Sequence, residues 1–242
     1  MQFEDFVYPP YGTPLVDAYN GRFEAAFVVL HPFIGVPESL SWRSIGKYPD
    51  DAEILACGTR HRWTAVASET GLGSCARVNQ ALLTSIGSLK GDLADRSGRD
   101  ALRSFLVSRP IWMPTEGRFE PILQPSFLQV FTAAGFQELI YVPELANFHP
   151  AVRLPLEGLQ DGSIPFPGCG TLIAPDLSFV ITVDWDSFFT IFYSSRDFLT
   201  ESARRLDLEG FFASSNTDHA WFNYSMGCAT VTVSPEDWQQ TV

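Results

Sequence analysis

Cysteine is scarce in this sequence. Cys57, Cys75, Cys169 and Cys228 are the only four, and no two lie close together. That spacing excludes a C-x-x-C redox pair, a zinc knuckle and a haem-attachment site. Long hydrophobic runs are missing as well. The longest near the start, Ala25 to Leu30, is closed by His31-Pro32. Its length suits a buried strand and falls far short of the roughly 20 apolar residues of a spanning helix. The opening MQFEDFVYPPYG carries acids where a secretory leader needs a basic region. These absences predict a cytoplasmic protein with reduced thiols and no membrane partner.

Positive charge is also short. Lys and Arg total 16 against 28 Asp and Glu, a net charge of −12. The imbalance is uneven. Residues 140–242 hold four arginines, no lysine and thirteen acids, whereas residues 59–109 hold eight basic and four acidic side chains. A nucleic-acid partner needs a basic footprint to displace phosphate counterions, so none is expected. The acidic C-terminal half suits a basic protein partner or plain solubility. Arg96, Arg99 and Arg103 follow helical spacing and predict a solvated helix face. Nothing in the sequence sets an oligomeric state.

Cofactor and nucleophile motifs are absent too. There is no G-x-x-x-x-G-K-[ST], no G-x-G-x-x-G and no G-x-S-x-G, so no cofactor is expected.

What is present is core material. Hydrophobic residues make up 45% of the chain, and 20 are Phe. At this length a chain buries roughly 70% of its unfolded surface, so no disulfide or metal staple is required. The sequence predicts one globular domain over 1–242, with a possible subdivision near 144–170, where Pro and Gly cluster.

Local patterns place the elements. Ala25–Leu30 reads as a strand, Pro37-Glu38-Ser39 and Pro49-Asp50-Asp51 as helix starts, and Trp63–Ala67 as a short strand. Cys75, Val78, Leu82, Ile86 and Leu89 draw one apolar helical stripe. A second helix follows Gly98 and stops before Pro110, and a third spans Ser126–Ala134. Residues 110–125 and 144–170 read as irregular connections. Leu139–Val142, Thr171–Ala174, Ser178–Val183, Phe188–Tyr193, Gly210–Ala213 and Ala229–Val233 read as strands, Arg196–Leu206 as a helix, and Ser234–Asp237 as a last helix start. The fold class is therefore α+β: a helical N-terminal half packed on a mainly antiparallel sheet built largely from the C-terminal half.

Two chemistries are conceivable. Cys75 follows Gly71-Leu72-Gly73-Ser74 and begins a helix, a position that favours thiolate. With His219 (or His149) as base and Asp186 (or Asp184 or Asp218) as orienting residue it would make a cysteine-dependent hydrolase or transferase. The run around Cys75 faintly resembles the nucleophile helix of papain-like and transglutaminase-like enzymes. Its register with Val78 and Leu82 predicts burial instead. The second chemistry is a metal site of Asp184, Asp186 and His219, joined by Asp218 and Glu209, since carboxylate and imidazole suit divalent ions. Against it, Asp is an ordinary turn residue. The aromatic content also allows a small-molecule binding module. His31, before a proline at a strand end, reads as a hydrogen-bonded structural histidine.

The tail Trp185-Asp186-Ser187-Phe188-Phe189-Thr190, then Glu209-Gly210-Phe211-Phe212 and Thr217-Asp218-His219-Ala220-Trp221, resembles a bacterial family of unknown function that carries W-D-S-F-F-T, E-G-F-F and T-x-H-x-W. That resemblance implies no activity. The chain is also similar in type to immunity proteins of bacterial toxin systems, which are acidic and lack catalytic motifs. The reading that follows is a non-catalytic binding or immunity-type protein with an acidic surface.

Overall fold

The computed structural model describes residues 2–37, 48–144 and 149–223. The expected helix start at Pro37-Glu38-Ser39, the strand Ala229–Val233, the helix start Ser234–Asp237 and Cys228 lie wholly or partly outside the described residues.

The fold is α+β, built around a seven-stranded sheet in which every neighbouring pair is antiparallel. Its strands are β1 (Ala25–Leu30), β5 (Glu138–Val142), β6 (Val152–Pro155), β7 (Gly170–Ile173), β8 (Val180–Val183), β9 (Phe189–Ser194) and β10 (Gly210–Phe212). Their spatial order is β10-β1-β9-β8-β7-β5-β6. Every residue of β1, β7, β8 and β9 is buried. These strands therefore read as continuous apolar runs with a few threonines, the pattern of a sheet covered on both faces. A smaller sheet has β2 (Phe33–Gly35) between β3 (Thr59–His61) and β4 (Ile111–Trp112).

Helices cover both faces of the large sheet. Val28, Ile173, Val180, Ile191 and Phe211 join one core with residues of α2 (Trp63–Glu69), α3 (Cys75–Ser85) and α4 (Arg96–Val107). Phe27, Leu172, Ile181 and Phe192 join a second core with α5 (Gln124–Ala133), α6 (Leu156–Gln160) and α7 (Arg196–Arg205). The layering is thus more even than helices first and sheet second. β1 comes from the N-terminal quarter yet lies between β9 and β10, and three helices of the later chain cover one face.

Most sequence signals found their elements. Asp50 and Glu53 cap α1 (Asp51–Cys57) reciprocally, each side chain accepting from the other's backbone N–H at 2.8–2.9 Å. Ser74, Asp95 and Ser195 cap α3, α4 and α7. Trp63–Ala67, expected as a strand, is the helix α2. The reason is Glu209, whose carboxyl accepts from the backbone N–H groups of Trp63 and Thr64 and from the Thr64 hydroxyl at 2.6–3.0 Å. These amides open a helix and need acceptors, and the acceptor comes from far along the chain. The 144–170 segment carries β6 and α6 rather than loop alone. Pro155 ends β6, which among the described residues has β5 as its one neighbour, a place where proline is tolerated.

Candidate functional site

Asp184 immediately follows β8, where the chain turns towards β9. The Ser187 hydroxyl donates to the Asp184 carbonyl at 2.9 Å and closes the turn. The turn presses against a second loop, since the Gly117 N–H donates to the Ser187 carbonyl at 3.0 Å. Gly117 has φ +69°, and a Cβ there would strike the Trp185 carbonyl. Glycine is therefore what lets the two loops meet.

Asp184 is buried, and its Oδ2 accepts a hydrogen bond from the Tyr11 hydroxyl at 2.6 Å. The Tyr11 ring stacks on His219, with centroids 4.2 Å apart and planes at 15°. The Tyr8 hydroxyl lies 2.8 Å from His219 Nδ1, and His219 Nε2 lies 3.9 Å from Asp184 Oδ2. That last separation is an ion-pair distance and too long for a hydrogen bond. The loop carrying His219 is tied to the N-terminal strap by the Leu15 N–H, which donates to the Thr217 carbonyl at 2.7 Å. Three distant parts of the chain thus build one cluster.

Its electrostatics are unequal. Burial lowers the His219 pKa, although Asp184, Asp218 and Asp186 pull it upward. Burial, the bond to Asp184 and the charges of Asp184, Asp186 and Glu144 push the Tyr11 phenol up, and Tyr8 rises chiefly by burial. Both phenols are thus neutral hydroxyls near pH 7. Nearby, burial together with Glu144 and Asp184 pushes the Cys169 thiol up to about 12, so it is protonated and unreactive. Burial and the Asp186 charge also raise Glu116. Five carboxyl groups therefore gather at this end of the sheet: Glu116, Glu144, Asp184, Asp186 and Asp218. Trp185 stands among them 61% exposed.

Of the residues singled out in the sequence, the structure brings Asp184 and His219 together. Asp186 touches Asp184 through its backbone N–H, at 3.4 Å. Glu209 is committed to the start of α2. Among the described residues no group of three or more His, Cys, Asp and Glu is placed to hold a metal ion. Cys75 sits 3% exposed on α3 in the first core. His219 faces Tyr8 through Nδ1 and Asp184 through Nε2. Tyr8 and Tyr11 were missed. A signal existed: Pro9-Pro10 favours polyproline II, whose three residues per turn would set Tyr8 and Tyr11 on one side.

A second buried cluster surrounds His31, which the sequence marked as a hydrogen-bonded structural histidine, and adds Glu120, which it did not. His31 is fully buried, with Nδ1 3.3 Å from the Thr115 carbonyl and Nε2 2.8 Å from Thr190 Oγ1. The carbonyl can only accept, so Nδ1 carries the proton and Nε2 accepts from Thr190. Burial lowers the His31 pKa to about 4, which keeps the ring neutral. The Thr115 N–H donates to Glu120 Oε2 at 2.7 Å, while Glu120 Oε1 is buried without a partner among the described residues. Burial pushes Glu120 up to about 7.

The W-D-S-F-F-T, E-G-F-F and T-x-H-x-W residues can now be assigned. Ser187 closes the turn, Phe188 and Phe189 enter the core, and Thr190 holds His31. Glu209 caps α2, and Gly210 passes so close to Val28 and Phe27 that a Cβ has no room. Phe211 packs on Trp221 with centroids 4.9 Å apart. Most of the motif is scaffold, and His219, Trp185 and Asp186 reach the acidic end. A family model described as "Protein of unknown function (DUF2711)" matches residues 11–223. The chain belongs to the DUF2711 family. A relative in Bacillus subtilis (strain 168), described as "Uncharacterized protein YwbB", is 22% identical over 227 residues, covering 90% of this chain and 99% of the relative. No solved structure matches the chain.

Proposed function

We propose that this protein acts by binding, and that its acidic sheet end docks a cationic segment of a protein partner. The observation that carries the reading is the gathering of Glu116, Glu144, Asp184, Asp186 and Asp218 at the sheet end whose turn carries exposed Trp185. An exposed indole at an acidic end of the fold suits arginine and lysine side chains, through cation–π contact and through charge complementarity. Asp184 and His219 are held by Tyr11 and Tyr8, which favours a rigid recognition surface over a reacting pair. The non-catalytic reading rests on this commitment of His219 and on the burial of Cys75. We read the chain as one domain, supported by β1 lying between strands of the C-terminal half, and as cytoplasmic. No described helix is long and apolar enough to cross a membrane.

Immobilised full-length protein and its Asp186→Lys/Glu116→Lys variant, exposed to host lysate at about 50 mM and about 500 mM salt, test the reading. The expected result is a partner retained at low salt, released at high salt and absent from the variant. A partner insensitive to both salt and charge reversal, or no partner, would overturn it.

A further inference from the structure

The sequence marks Arg99 and Arg103 as one face of a helix, and the structure gives that face a cavity. Between α4, the end of α3 and β4 lies a depression of about 880 Å³. Its walls include Leu102, Leu106, Ile111, Trp112 and Met113, and its charged lining residues are Arg99 and Arg103. Ligand sites run to roughly 300–1,000 Å³ and combine apolar walls with a few oriented polar groups. Arg99 holds the neighbouring Asp100 at 2.8–2.9 Å in an exposed contact. Such exposed pairs are weak and exchange readily for a better anion. Arg103 is exposed and forms no ion pair among the described residues. The Trp112 indole N–H is shielded from solvent and has no acceptor among them, so what Trp112 turns to the cavity is apolar ring. In a chain of net charge −12, a cavity whose lining charges are both guanidinium is set against the trend of the surface. Both arginines belong to the basic stretch, residues 59–109.

We infer that this cavity binds a medium-chain acyl carboxylate, its head on Arg103 and Arg99 and its chain along Leu106, Ile111, Trp112 and Met113. Guanidinium takes a carboxylate bidentately, which an ammonium would not. The apolar walls bury the chain, and affinity rises with each methylene taken out of water. The site is separate in residues and in charge from the acidic sheet end.

Titration calorimetry of the full chain with decanoate, below its micellar range, tests the assignment, with decanol and acetate as the other arms. Decanoate is expected to bind at least tenfold more tightly than decanol, and acetate not measurably. Arg103→Glu should weaken decanoate at least tenfold and leave decanol unchanged. Met113→Asp, which spoils the wall and spares the head-group site, should weaken both. Asp186→Lys/Glu116→Lys should leave decanoate binding unchanged, so that failure here and failure of the partner reading are distinguishable. No decanoate binding, equal affinity for decanoate and decanol, or an Arg103→Glu variant with wild-type affinity would each overturn the proposal.

Discussion

Glu209 and Glu120 are both buried, and the protein treats them in opposite ways. Glu209 meets three donors: two backbone N–H groups at the start of α2 and the Thr64 hydroxyl. Glu120 takes its one close hydrogen bond from the Thr115 N–H; the Thr115 hydroxyl, the Ile122 N–H and Arg118 favour its charged form more weakly, and its second oxygen has no partner among the described residues. The first carboxyl replaces its lost hydration and at the same time fixes a helix. The second is most stable when protonated, as its pKa of about 7 records. Burial alone says little about what an acid does; the number of donors aimed at it says more.

The strongest way to break the contrast is to remove each side chain. Glu209→Ala leaves the first amides of α2 without acceptors inside the protein. It should cost about 3–5 kcal/mol in urea unfolding. Equal costs for Glu209→Ala and Glu120→Ala would mean that donor count is irrelevant. The sharper version uses pH. Glu120 rises from 4.5 to about 7 on folding, so its contribution is complete below about pH 4.5 and is lost as the pH climbs to 7. The stability of Glu120→Gln relative to wild type should therefore increase across that window, by up to about 3 kcal/mol, and then level off. His31 moves the other way, from 6.5 to about 4. Its contribution is complete above about pH 6.5 and is lost as the pH falls to 4. Over the shared range the two slopes offset each other, and a His31→Gln variant should expose the Glu120 slope.

The contrast also explains what could be read in advance. α1, α3, α4, α5 and α7 were visible because their caps and apolar stripes lie within a few residues of one another. The strands from β7 to β10 were visible for the same reason. Trp63–Ala67 misled because Trp, Thr and Val favour strands, while the side chain that makes the segment helical sits at Glu209. The candidate site was half legible. Asp184, Asp186 and His219 stood out as chemical types, but their company of Tyr8 and Tyr11 depends on the N-terminal strap reaching the end of β8. Glu120 gave no signal, because an acid in an irregular, proline-rich stretch looks solvated.

Smaller effects belong to the His219 cluster. Tyr11→Phe removes a hydrogen bond to a buried carboxyl and should cost about 1.5–3 kcal/mol, and Tyr8→Phe about 1 kcal/mol, by the same unfolding measurement. Trp185→Ala should change stability by less than about 0.5 kcal/mol while abolishing capture of the cationic partner. A destabilised Trp185→Ala would assign the indole to packing rather than to recognition.

The position of β1 has a consequence for synthesis. Ala25–Leu30 is a wholly apolar strand made early, and both of its sheet neighbours, β9 and β10, are made late. At a translation rate of about 5–20 residues per second, the strand waits for roughly ten seconds or more before either edge can be paired. During that interval it is an open template for wrong pairing. The burden of keeping this protein out of aggregates therefore falls on whatever shields the nascent chain, and a fragment ending before Phe189 would never be relieved of it.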